Sequence, residues 1–129
     1  MNRSTAPLVL AVILTVLQPE ATLADGILLL KQCTPIVSFL DNEGNVPSNV
    51  ENTFAAGFCL GMAQGITNMN LAYQYTMQKT LFCLPTGGIQ NSQAVRVIVK
   101  YLKEHPEQLH EQEGSLAIIA FIQAFPCPP

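Results

Sequence analysis

Tryptophan is absent from this 129-residue chain, charged residues make up only 12% of it, and lysine and arginine together number six. Each shortage excludes something. Nine acidic residues outweigh the six basic ones, the formal net charge is −3, and no basic run occurs. Such a surface does not neutralise phosphates, so neither nucleic acid nor an anionic membrane is an expected partner. The H-E-x-x-H pattern of zinc peptidases, the G-K-[ST] phosphate loop and any C-x-x-C pair are all missing. No serine, histidine and acid stand in a recognisable nucleophile context. The two histidines, His105 and His110, are five residues apart, which puts them on different faces of a continuous helix. No metal site, cofactor or catalytic set is therefore expected, and the chain reads as a binding protein rather than an enzyme.

The N-terminus carries an export signal. Arg3 is followed by an apolar run from Pro7 to Leu17 and a more polar exit ending in Thr22-Leu23-Ala24. Residues 1–24 read as a signal peptide cleaved after Ala24. The apolar run is shorter than the roughly 20 residues a membrane span needs, so no membrane association is expected after cleavage. Residues 25–129 then form a single domain of about 105 residues, still at −3 because Arg3 and Glu20 leave together. With few charges and 49% apolar residues, it either buries an unusually large fraction of itself or presents a protein-binding surface.

All four cysteines, Cys33, Cys59, Cys83 and Cys127, lie in that domain. An even count in a small exported chain implies disulfides, with three pairings open. Zinc lacks its ligand spacing, and a catalytic thiol is at odds with the compartment.

Hydrophobic periodicity predicts four helices and no strands, an all-α compact bundle stapled by two disulfides. The first helix, Gly26 to Leu40, has an apolar stripe of Leu28, Leu29, Cys33, Ile36, Val37 and Leu40, with Pro35 expected to kink or split it. Asp41 to Ser48 is a loop by composition. The second helix, about Val50 to Tyr75, has no charge from Asn52 to Gln78 and is predicted to be central and buried on most sides. Its Gly57, Gly61 and Gly65 are expected to pack closely against a neighbouring helix, the sharper alternative being a dimer seam.

The third helix, Ser92 to Glu104, is amphipathic. Ala94, Val95, Ile98, Tyr101 and Leu102 share one face, Arg96, Lys100, Lys103 and Glu104 the other, and Asn91 is the expected N-cap. Pro106 to Glu111 is a polar turn. The fourth helix runs from about Gln112 to Ala124, with Leu116, Ile119, Ala120 and Phe125 as core candidates. This layout argues a pairing. Cys33 and Cys59 lie nearly equidistant from the loop of the first hairpin, and Cys83 and Cys127 bracket the second. Cys33–Cys59 and Cys83–Cys127 are therefore predicted, each worth roughly 3–4 kcal/mol of loop entropy.

The pattern F-C-x-P at Phe82, V-x-x-x-V-x-Y-L from Val95, H-P-E from His105, His110 and the terminal A-F-P-C at Ala124 to Cys127 resembles the Rap/Tai immunity proteins. Cys33 and the glycine-rich stretch around Cys59 fit as well. One departure is the start of the last helix, where the family often carries proline and alanine and this chain has Gln112, Glu113 and Gly114. The resemblance implies a small periplasmic helical protein that binds a peptidoglycan amidase effector of the type VI secretion system and blocks its cleft, generally as a homodimer. It implies partner contacts on the third and fourth helices and their connection. The matching positions are Arg96, Lys100, Lys103, Glu104, His105, Glu107, His110 and Glu111. Two other readings belong to different classes: an HdeA-like periplasmic acid-stress chaperone, and a small helical binding domain that uses the apolar surface of the second helix.

Overall fold

The computed structural model describes residues 25–42 and 50–129. The predicted signal peptide and nearly all of the Asp41–Ser48 loop lie outside the described residues. Among the described residues four α-helices make up the architecture: α1 Asp25–Asp41, α2 Val50–Met77, α3 Asn91–Glu104 and α4 Glu113–Ala124. A single 3-10 turn, Pro106–Gln108, stands between the last two, and no strand occurs among the described residues. This is the predicted all-α bundle, and both predicted disulfides are present, with Cα separations of 5.4 Å for Cys33–Cys59 and 4.8 Å for Cys83–Cys127.

In α1, Leu29, Cys33 and Ile36 form the buried stripe, while Leu28 is exposed. The helix runs unbroken through Pro35, so the expected split does not occur. Proline withholds the N–H that would serve the Lys31 carbonyl, and its ring crowds that carbonyl. Lys31 is exposed, so water can serve that carbonyl instead. Thr34 Oγ1 donates to the Leu30 carbonyl at 2.6 Å.

The central helix is α3, not α2. It packs more extensively against the other helices than α2 does and buries Ala94, Val95, Ile98, Val99, Tyr101 and Leu102. The predicted apolar face is thus the observed one, widened by Val99. Gln90 caps it without a side-chain hydrogen bond and Asn91 is already helical, which corrects the expected cap by one position. Pro106 ends the helix as expected, because the residue before a proline disfavours helical geometry.

On α2, by contrast, the buried described positions are Ala55, Cys59, Ala63, Ile66 and Asn70, one narrow stripe. An added Cβ at Gly57, Gly61 or Gly65 would meet nothing within 4 Å. The expectation that these glycines pack against a neighbouring helix of the same chain is therefore corrected: their face is open. Beyond Met77, Gln78 takes a left-handed conformation with φ of 52° and closes the helix.

The 79–90 connector is fastened at both ends. Buried Asn70 accepts from Leu81 N at 2.9 Å, Phe82 N at 3.4 Å and the Thr80 hydroxyl at 3.0 Å, and donates to the Phe82 carbonyl at 3.0 Å. Cys83 N donates to the Phe125 carbonyl at 2.9 Å beside the second disulfide. Gly87 and Gly88, at φ of 93° and 77°, make the reverse turn that a side chain would strain. Phe82 is fully buried and stacks on Phe121 with ring centroids 5.0 Å apart. Phe121 takes the core place expected of Ile119, which is 37% exposed. The core face of α4 is Leu116, Ala117, Ala120 and Phe121.

Candidate functional site

The turn between α3 and α4 is built from its own backbone outward. Gln108 N donates to the His105 carbonyl at 3.0 Å and Glu111 N to the Gln108 carbonyl at 2.9 Å. Side chains tie it to α3. The Tyr101 hydroxyl donates to Gln108 Oε1 at 2.5 Å. His105 Nδ1 donates to the Tyr101 carbonyl at 2.9 Å, and its ring stacks on Tyr101 at 4.1 Å. Leu109 packs against the core from below. On the other side Gly26 N donates to the Glu111 carbonyl at 3.2 Å, so the first turn of α1 holds the far end.

The eight residues predicted for partner contact therefore divide. Glu107, His110 and Glu111 are exposed on the turn, with His110 Nε2 3.3 Å from Glu111 Oε1. Lys103 and Glu104 lie exposed at the end of α3 beside them, and Lys100 lies one turn back, 3.9 Å from Glu104. His105 is half-buried and its ring serves the turn's architecture. Arg96 lies more than two helical turns from Glu104, paired with Asp41 at the end of α1 at 2.6 Å. The structure thus gathers seven of the eight around the turn and leaves Arg96 apart, holding α3 to α1.

Carboxylates dominate this end of the molecule. Glu104, Glu107 and Glu111 are joined by Glu113 at the start of α4 and Asp25 at the start of α1. Burial, then the nearby Asp25 charge, raises the Glu113 carboxyl above the usual carboxylate range. All four cysteines are in disulfides, which leaves no thiol nucleophile. Among the described residues no group of three or more His, Cys, Asp or Glu could hold a metal ion. The turn presents carboxylate acceptors and an imidazole on a backbone tied to α3 and to the first turn of α1. Sequence reasoning missed Gly26 and Asn70. A glycine at a helix start reads as a boundary, and an asparagine among other amides reads as surface.

A concavity of about 410 Å³ lies between α2 and the 79–90 connector. Its lining includes Thr67, Asn68, Leu71, Gln74 and Ile89, with no charged residue.

No helix among the described residues is long and apolar enough to cross a membrane. Residues 25–127 match a family model described as Rap1a immunity proteins. No curated protein and no solved structure matches the chain.

Proposed function

This chain belongs to the Rap1a immunity protein family, whose members are inhibitors rather than enzymes and act against a secreted effector; we propose that its own effector is a peptidoglycan amidase delivered by a type VI secretion system. The protein acts in the periplasm after cleavage behind Ala24 and blocks the enzyme's cleft with the α3–α4 turn. The observation that carries this reading is the pinned turn itself. Glu107 and His110 project from a backbone already fixed by hydrogen bonds to α3 and α1. Ordering a side chain on binding costs about 0.5–1.5 kcal/mol, and a pre-organised loop avoids most of that cost. Amidases of this kind carry a Cys-His pair in a groove. Carboxylates and an imidazole from the turn can hydrogen-bond there and exclude the peptide substrate.

The protein works as a homodimer, with the open glycine face of α2 as the seam. Phe54 and Tyr75 are 70% and 79% exposed on a helix with no charge from Asn52 to Gln78. Two such faces can meet without desolvating an ion, and glycines let helix backbones approach closely.

The test is growth of cells that export a candidate peptidoglycan amidase effector to the periplasm, with and without the protein. Rescue by the parent and its loss on replacing Glu107 and His110 with alanine are expected. No rescue and no complex with the purified amidase would exclude that effector. Rescue by the turn variant as good as the parent's would move the contact surface elsewhere.

A further inference from the structure

We propose that Gly26, in the first turn of α1, is the positioning residue of the partner-binding turn. The inference rests on the reading that the α3–α4 turn meets the effector. Two contacts make the case. Gly26 N donates to the Glu111 carbonyl at 3.2 Å, which is a backbone tie no other helix provides on that side. A Cβ at residue 26 would lie 2.5 Å from Leu116 Cδ1, 2.9 Å from the Leu109 carbonyl oxygen and 3.0 Å from Leu109 Cα. The end of the Leu116 side chain can rotate away. The Leu109 backbone cannot yield without carrying the turn with it.

The requirement is for space. Among the described helical glycines, Gly57, Gly61, Gly65 and Gly114 have nothing within 4 Å of an added Cβ, and Gly26 alone is crowded. The turn is thus clamped between two helices. Tyr101 and His105 hold it from α3, and the bare backbone at Gly26 sets its distance from α1. Leu109 lies between Glu107 and His110 in the chain, so any displacement there moves both exposed side chains. Hydrogen bonds weaken within a few tenths of an ångström of their optimum, so a small shift of the turn degrades contacts with a partner while leaving the bundle folded.

The experiment compares G26A with the parent and with L29A, a truncation of a fully buried core residue on the same helix. Backbone amide shifts of labelled protein and affinity for the purified amidase effector that the parent binds are both read. The expected result is that G26A moves the amides of residues 109–115 and binds about tenfold more weakly. L29A lowers the melting temperature yet keeps parental affinity in its folded fraction. The double variant G26A/L116A removes the side-chain contact and keeps the clash with the Leu109 backbone, so it remains a weak binder; recovery of parental affinity there would overturn the proposal. So would parental binding by G26A while E107A/H110A is weakened, and that outcome leaves the turn as the contact surface. If E107A/H110A also binds like the parent, the turn is not the contact surface, and both readings fall together.

Discussion

Helices α2 and α3 invert what their compositions suggest. α3 carries Arg96, Lys100, Lys103 and Glu104 in 14 residues and still packs most extensively against the other helices. α2 has no charge from Asn52 to Gln78 and lies at the side of the bundle, with Phe54, Met69, Leu71, Tyr75 and Met77 exposed. The face that goes inside is marked by how apolar and charged residues segregate around a helix, and not by how apolar the helix is as a whole. A helix without charges is free of any penalty for burial, and equally free of any signal saying which side is buried. Here the uncharged side of α2 is the one that the other described residues leave open.

The largest effects should separate these helices in stability. Ile98→Ala or Leu102→Ala on α3 leaves a cavity and should cost about 2–5 kcal/mol by chemical denaturation. Phe54→Ser or Tyr75→Ser on α2 should stay within about 0.5 kcal/mol for the monomer. An exposed α2 position as costly as Ile98 would mean that its face is covered within one chain.

Next in size is the polar link of α2 to the connector. Asn70→Ala removes the acceptor of the Leu81 and Phe82 N–H groups and leaves the Phe82 carbonyl only the Thr80 hydroxyl, and about 1–3 kcal/mol should be lost. Hydrogen exchange should quicken first in residues 80–84, with α3 amides unaffected. Loss spread evenly over the bundle would show that the connector is not a separate dependency.

A smaller effect of opposite sign is expected on the glycine face. Gly61→Ala meets no neighbour and should stabilise the monomer by up to about 1 kcal/mol through helix propensity. If that face is the dimer seam, the same change weakens association, read by sedimentation as a shift toward monomer. Stabilisation with unchanged association would place the seam elsewhere.

The smallest effect is a pH dependence. Glu113 has its folded pKa raised by burial and by Asp25. The folded state therefore holds the proton more tightly than the unfolded chain. The stability linked to that proton is present below the ordinary carboxylate pKa and is lost as pH rises through the raised value. Melting temperatures of Glu113→Gln relative to the parent should accordingly improve from acid toward neutral pH. A difference that stays flat or falls would remove Asp25 and burial as perturbing causes.

Much of this architecture was legible in the sequence because particular residues constrained it. Arg96, Lys100 and Lys103 fixed the outer face of α3, and with it Ala94, Val95, Ile98, Tyr101 and Leu102 on the inner one. Symmetric spacing about two hairpins was enough to pair the cysteines. Pro106 stopped α3 where expected. The failures share a physical cause. Gln64, Asn68 and the α2 glycines are neutral and small enough to sit inside or outside, so pattern could not decide between them. Ile119 and Phe121 are both apolar on a helix with few charges, and only the stacking of Phe121 on Phe82 separates them. Pro35 withholds one donor from a carbonyl at an exposed residue, which tertiary packing tolerates. The clearance at Gly26 depends on Leu109 and Leu116, more than eighty residues away along the chain, and no local pattern reports it. Of the candidate site, the turn and its exposed Glu107 and His110 were readable. The anchoring role of His105 and the separate pairing of Arg96 with Asp41 were not, since both depend on contacts between elements.

The most direct test sets the two surfaces against each other in one titration. A candidate peptidoglycan amidase effector is titrated with the parent, with E107A/H110A on the turn and with Tyr75→Ser on α2. The account predicts that the turn variant binds at least about tenfold more weakly, while the α2 variant keeps parental affinity per subunit. Loss of binding by the α2 variant alone, with the turn variant unaffected, would contradict it.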